Sequence, residues 1–215
     1  TIALMLAITR GIVMFDKKLR EELVCPKTTF FDRDLASYGH TLGIVGYGRI
    51  GKKVAQKAQA FGMDVLYYDD FRATPEHERE AGVTYLPFDE LLGRSDVVTV
   101  HVPYLESTHH LFNKETFSKM KDGAYLVNAA RGAIVCEADL VQALKSGKLR
   151  GAALDVFEFE PKVGEELAAL DNVVLTPHVG TNTTEVRLRM LDECLSGIEA
   201  ILDGGDFLEV QPLFA

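Results

Sequence analysis

Arg131, Glu158, Glu160 and His178 are the residues of this chain whose types and spacing could do chemistry, each lying just beyond a run that reads as a β-strand. Histidine has the side chain whose unperturbed pKa lies nearest neutrality, so His178, in Thr176-Pro177-His178, can supply the proton needed when a carbonyl oxygen becomes a hydroxyl. A carboxylate beside it would orient the imidazole and favour its charged form, a role open to Glu158 or Glu160. Arg131, in Asn128-Ala129-Ala130-Arg131-Gly132, carries a planar fork that matches a carboxylate bidentately, where lysine would be a point charge. Taken singly, each could be a solvated loop residue. Joint placement at the ends of successive strands is what points to one reaction centre.

A second constellation says what such a centre would work with. Gly46-Tyr47-Gly48-Arg49-Ile50-Gly51 follows the apolar run Leu42 to Val45 and opens a helical pattern of Ile50, Val54, Ala58 and Phe61 that Gly62 stops. In a strand–turn–helix context this pattern binds a dinucleotide: Gly46 permits the tight turn, Gly48 admits the pyrophosphate and Gly51 lets the helix pack on its strand. The helix starting at Arg49 and Ile50 presents free N–H groups to the phosphates. Asp69 ends the next β-rich run, 23 residues after Gly46, where its carboxylate can accept both ribose hydroxyls. A 2′-phosphate would meet that carboxylate head on, so NAD is expected rather than NADP, although Arg72 stands close by.

The elements needed to position these groups can be read in order. Residues 1 to about 15 read as an apolar helix, and Asp16 to Tyr38 as an irregular charged connector containing Pro26. Thr74 to Ala81 is a short helix with Pro75 at its start, Gly82 to Leu86 a short strand, and Pro87 to Arg94 helical turns closed by Gly93. Asp96 to Val102 is a β-branched strand ending in His101-Val102-Pro103. Asn113 caps a helix to Met120, and Ala124 to Asn128, Gly151 to Val156 and Val173 to Thr176 are strands separated by helices at Glu137 to Ser146 and Glu165 to Leu170. Thr183 to Leu202 is a long amphipathic helix ended by Gly204-Gly205. Strands alternating with helices through short connections imply an α/β fold, a doubly wound parallel sheet of Rossmann type, with ligands at the carboxyl ends of the strands.

Composition narrows the classes. With 215 residues, 47% of them hydrophobic, the chain can bury a full core, and a formal charge of −9 without a basic block argues against nucleic acid or an anionic membrane as partner. Cys25, Cys136 and Cys194 are odd in number and widely spaced, which suggests neither a disulfide framework nor a zinc site and fits a cytoplasmic protein. His109 and His110 read as solvated loop residues, and His40 and His77 as residues without a partner. The apolar start lacks the basic flank and cleavage site of a signal peptide. Because it begins with Thr1 inside a helix, upstream sequence is expected.

The chain resembles the NAD-binding domain of the D-isomer-specific 2-hydroxyacid dehydrogenases over nearly its whole length. Five segments carry the resemblance in order: Leu42 to Gly51, His101 to Pro103, Leu126 to Gly132, Ala153 to Pro161 and Thr176 to Gly180. It implies a substrate-binding arginine at Arg131, an acid–base histidine at His178 and its supporting glutamate at Glu160, leaving Glu158 a bystander. It also implies that Asp155 contacts the nicotinamide amide, Asp69 the ribose and Thr108 the cofactor side, with His101, Val102, Pro103, Ala129 and Gly180 completing the cofactor-binding set and no metal. Glu160, where formate dehydrogenases carry glutamine, argues against that activity. Cys136, at a position where an acidic residue is common, is expected to matter little.

What the resemblance implies is a hydride exchange between NAD(H) and a small 2-oxo acid or D-2-hydroxy acid. Residues 1–180 would form the dinucleotide-binding domain with a leading crossing helix, and residues 181–215 a helix and tail returning to a substrate domain that lies mostly upstream and outside this sequence. Pairing into a homodimer through the cofactor domain is expected, and the chain alone should bind NAD(H) with little turnover, since water would not be excluded. The alternative is an NAD(H)-sensing binding module like the corepressors that resemble these enzymes. An S-adenosyl ligand fits the five segments less well.

Overall fold

Every apolar run read as a strand joins one sheet, and every pairing in that sheet is parallel. The computed structural model describes residues 1–24 and 35–204. Its chain order is α1 (Ile2–Thr9), α2 (Ile12–Glu22), β1 (Thr41–Val45), α3 (Arg49–Ala60), β2 (Asp64–Tyr68), α4 (Pro75–Ala81), β3 (Val83–Tyr85), α5 (Phe88–Arg94), β4 (Val97–Val100), α6 (Lys114–Lys119), β5 (Ala124–Asn128), α7 (Glu137–Lys145), β6 (Leu149–Leu154), α8 (Glu165–Ala168), β7 (Val173–Leu175) and α9 (Thr184–Leu202). The strands lie in the order β3-β2-β1-β4-β5-β6-β7. Strand order reverses beside β1, where Val45 stands opposite Tyr68 on one side and Val100 on the other, and a crevice at the carboxyl ends follows from that reversal.

Alternation along the strands feeds two cores. Leu42, Ile44, Val65, Tyr67, Tyr125 and Val127 bury one face together with Leu4, Met5 and Ile8 of α1 and Val54, Ala55 and Ala58 of α3. Val45, Leu66, Val98, Val100 and Leu126 bury the other against Leu91 and Leu92 of α5, Phe117 of α6 and Leu140 and Leu144 of α7. All residues of β4 and β5 are buried, as expected of central strands covered on both faces. The chain divides into two compact units, Thr1–His178 and one beginning at Val179. In the second, Thr183 caps α9 by accepting the Val186 N–H at 3.2 Å.

Four sequence expectations are corrected. The opening is two helices, because Gly11 takes φ +61° and breaks the run; α2 then continues to Glu22 through the region read as connector, supported by the i,i+4 pairs Asp16–Arg20, Lys17–Glu21 and Lys18–Glu22. Pro26 lies outside the described residues, as does Gly205. Gly93 does not close α5 but sits within it, the chain turning extended only at Ser95. Ile50 and Phe61 are exposed, since they occupy the two ends of α3 and only its middle, Val54, Ala55 and Ala58, lies over the sheet. β6 begins at Leu149, two residues earlier than expected.

Candidate active site

The β1–β2 side of the rim is built largely from backbone. Gly46 adopts φ +99°, which an L-residue rarely tolerates, and a Cβ there would lie 2.6 Å from the backbone carbon of His101. The Gly46 N–H donates to Tyr68 O at 2.9 Å, fixing the turn to β2. Asp69 holds the same turn from its other side: its Oδ2 accepts the Tyr47 N–H at 2.7 Å and its Oδ1 the Phe71 N–H at 2.9 Å. Each carboxylate oxygen retains a further lone pair, so ribose hydroxyls can still donate to Asp69.

Three observations fit a dinucleotide to this turn. A Cβ at Gly48 would meet nothing within 4 Å, so the backbone there is open to close approach. Among the described residues no side chain caps α3, leaving the N–H groups of its first turn, at Arg49 and Ile50, available to phosphate oxygens. His101, whose N–H donates to Val45 O at 2.7 Å, keeps a buried Nε2 without a hydrogen-bond partner among the described residues, and burial lowers its imidazole pKa to about 4. Arg72, by contrast, is engaged elsewhere: its Nε and Nη2 donate to Glu78 at 2.8 and 3.0 Å while its guanidinium lies 4.8 Å from the Tyr85 ring centre. Glu78 is braced by the Tyr67 hydroxyl at 2.9 Å. The cation that raised the question of NADP is thus already neutralised.

Beyond His101, Val102 is half-buried and Pro103 exposed. The Thr108 hydroxyl donates to Pro103 O at 2.7 Å and accepts the Leu105 N–H at 2.8 Å, closing the loop after β4 upon itself.

The β5–β7 side is built from side chains. Asn128, buried at the end of β5, turns the chain by accepting the Ala130 N–H through Oδ1 at 3.0 Å and donating through Nδ2 to Arg131 O at 3.0 Å. This is the local hydrogen bonding that makes asparagine a turn residue, and it leaves Ala129 half-buried and Arg131 exposed at the rim. The loops after β5 and β6 touch so closely that a Cβ on Gly132 would fall 1.8 Å from Phe157 O. Asp155 is buried and accepts the Thr176 hydroxyl at 2.5 Å.

Glu160 spans the gap to β7. Its Oε1 accepts the Phe157 N–H at 3.0 Å and its Oε2 lies 3.1 Å from His178 Nδ1. Partial burial raises its pKa, but the hydrogen bonds from His178 and Phe157 and the charges of His178 and Arg131 outweigh it and hold the carboxyl below its usual range. An ionised Glu160 accepts a hydrogen bond from Nδ1–H and leaves Nε2 for other partners. His178 itself sits at φ +52°, its N–H donating to Thr176 O at 3.0 Å. Gly180 belongs to the second unit, which starts at Val179.

The ambiguity between the two glutamates has a geometric answer. Glu160 meets His178, whereas Glu158 pairs with His110 Nε2 at 2.6 Å and accepts the Glu137 N–H at 2.8 Å. Glu158 is therefore no partner of His178, but it is not idle either, and His110 is not a solvated residue. His40 also has a partner, its Nδ1 lying 3.2 Å from Asp96 Oδ2, while His77 packs its ring edge against Tyr47. Sequence reading missed Asn128, Thr176 and the Glu137–Glu158 clasp. Asparagine at a strand end, three residues before an arginine, was the signal that could have found the first; the others depend on pairing between distant segments.

The chain matches the family described as D-isomer specific 2-hydroxyacid dehydrogenase, NAD binding domain, over residues 2–180. A Staphylococcus aureus (strain bovine RF122 / ET3-1) protein named "Putative 2-hydroxyacid dehydrogenase" is 48% identical over 187 residues, 87% of this chain and 59% of that relative. A glyoxylate reductase from Paecilomyes thermophila superposes with a TM-score of 0.85 at 39% identity, over 93% of this chain and 59% of that one. D-lactate dehydrogenase from Aquifex aeolicus, solved with NAD and lactic acid, superposes with a TM-score of 0.85 at 35% identity, over 98% and 66%. The chain thus spans 59% of the length of the curated relatives it matches first.

Proposed function

The chain belongs to the D-isomer specific 2-hydroxyacid dehydrogenases, as their NAD-binding domain, and from that premise we propose that it serves an NAD-dependent exchange of hydride between the cofactor and a small 2-oxo acid or D-2-hydroxy acid. The observation that carries this reading is the 3.1 Å contact of Glu160 with His178 beside Arg131, on three neighbouring strands of the sheet that also bears the glycine turn.

NAD(H), when bound, supplies or accepts the hydride. Gly46, Gly48, the first turn of α3 at Arg49, Ile50 and Gly51, and Asp69 would hold its adenosine and phosphate end, and His101 to Pro103, Thr108, Ala129 and Asp155 would hold the nicotinamide end; Gly180 is assigned to the cofactor by the family resemblance alone. Arg131 grips the substrate carboxylate with its guanidinium fork, fixing which face of the carbonyl is presented. His178 holds a proton on Nε2 and delivers it to the oxygen in reduction, or removes it in oxidation. Glu160 keeps the ring in that orientation and stabilises the imidazolium. Proton transfer of this kind contributes roughly 10²- to 10⁴-fold in rate.

Further parts of the reading concern the whole protein. Residues 1–180 act as the cofactor domain and 181–215 return toward a substrate domain. Two copies pair through the cofactor domain, a role that the exposed Ile12, Val13, Leu19 and Leu23 around α2, a helix burying none of its own residues, would suit. Among the described residues no helix is long and apolar enough to cross a membrane, and Cys136 and Cys194 form no disulfide. A cytoplasmic setting rests on the odd number and wide spacing of the three cysteines in the sequence. No observation favours the corepressor-like alternative. The test is NADH oxidation by the full-length protein with glyoxylate, hydroxypyruvate and pyruvate: turnover with at least one is expected, and none with any 2-oxo acid would overturn the reading.

A further inference from the structure

His110, Cys136 and Glu158 bring one nitrogen, one sulfur and one oxygen together, all within 4.8 Å of one another and all half-buried. They arrive from three different loops, those after β4, β5 and β6. Each is held from behind by backbone bonds, and the Cys136 thiol also hydrogen-bonds to Asp139, accepting its backbone N–H and donating to its carboxylate. The His110 N–H donates to Ala133 O at 2.9 Å and its carbonyl accepts Asn113 Nδ2 at 2.9 Å. Cys136 N–H donates to Phe112 O at 2.9 Å. Glu158 is clasped by Glu137, whose N–H it accepts through Oε2 at 2.8 Å and to whose Oε1 its own N–H donates at 2.6 Å. Only Glu158 Oε1 and His110 Nε2 lean on each other, at 2.6 Å.

We propose that these three residues form a binding site for a thiophilic divalent cation, with Zn²⁺ the best match. Mixed sulfur, nitrogen and oxygen ligation is zinc chemistry, whereas magnesium and calcium prefer oxygen alone. Binding breaks the Cys136 S–H bond together with its hydrogen bond to the Asp139 carboxylate, forms a bond from sulfur to the cation and releases the proton to solvent. The ion's charge offsets the burial and the Asp139 and Glu158 charges that push the thiol pKa up. His110 carries its remaining proton on Nδ1 so that the Nε2 lone pair faces the ion, and water fills the fourth position. Ligands about 2.0 to 2.3 Å from one ion stand roughly 3.3 to 3.8 Å apart, so His110 and Glu158 must part by roughly 0.7 Å or more. The clasp by Glu137 supplies the outer-sphere support that such sites use. An ion here fastens together the loops that bear Thr108, Arg131 and Glu160, two to five residues from its ligands.

The test uses Co²⁺ as a spectroscopic stand-in, added to the reduced, metal-free full-length protein and then displaced with Zn²⁺. A thiolate-to-cobalt charge-transfer band in the near ultraviolet is expected, lost in Cys136→Ser, a nearly isosteric change, with Zn²⁺ affinity weakened about 10- to 100-fold there and in His110→Gln. Glu160→Gln should leave band and affinity unchanged, which separates this site from the neighbouring His178. Absence of the band in the unaltered protein, its persistence in Cys136→Ser, or its loss in Glu160→Gln would each overturn the proposal.

Discussion

Around β1 and β2 the groups that face the proposed cofactor are mostly backbone, set by the φ of Gly46 and the bare first turn of α3, joined by the carboxylate of an Asp69 that itself grips two N–H groups. Around β5, β6 and β7 the facing groups are side chains, and Arg131, Glu160 and His178 are all exposed at the rim. Backbone cannot be altered without altering the fold, whereas an exposed side chain can be exchanged and leave the fold alone. Stability and cofactor affinity should therefore move together on the first side, and turnover should move alone on the second.

The largest effect that would break this contrast lies at the glycine turn. Gly46→Ala forces a Cβ to 2.6 Å from His101 backbone at a φ unsuited to alanine. A loss of about 3 kcal/mol in unfolding free energy is expected, together with NADH affinity, by urea denaturation and fluorescence titration. Retention of both would mean that the turn is not the rigid element supposed. Next comes Glu160→Gln on the other side, with kcat expected to fall about 10- to 100-fold as the oriented imidazolium loses its carboxylate, while the urea midpoint hardly moves because the pair is exposed.

His101 joins the two sides and titrates accordingly. Its imidazole is held at about 4 by burial, against roughly 6.5 unfolded. The unfolded chain binds the proton first, so stability is complete above about pH 6.5 and declines as pH falls toward 4. His101→Gln should flatten that slope in urea midpoints taken at several pH values, and an unchanged slope would assign it elsewhere. The smallest effect concerns cofactor choice. Glu78→Gln weakens the latch on Arg72, and the ratio of NADPH to NADH kcat/KM should rise a few-fold, limited by Asp69; no rise would show that Arg72 has no reach to the ribose.

Legibility in the sequence followed the same division. The glycine turn, Asp69 and the strands could be read because their signals are local: a motif, an alternation and a spacing. Glu160 was separated from Glu158 only by resemblance, since two carboxylates at i and i+2 in a loop point in directions that no periodicity records. The histidines fared worst. His40 and His110 find Asp96 and Glu158 across 56 and 48 residues of sequence, and nothing near either residue announces it. The charged segment that became α2 misled because its support is a set of i,i+4 ion pairs rather than an apolar stripe.

If one side of the rim holds the cofactor and the other does the chemistry, His178→Gln of the full-length protein separates the two, with NADH affinity and single-turnover reduction of a 2-oxo acid followed in one experiment. The expected result is a rate lower by roughly 10² to 10⁴, with NADH affinity within a few-fold of the unaltered protein. An unchanged rate, or a loss of rate that simply tracks a loss of NADH binding, would contradict it.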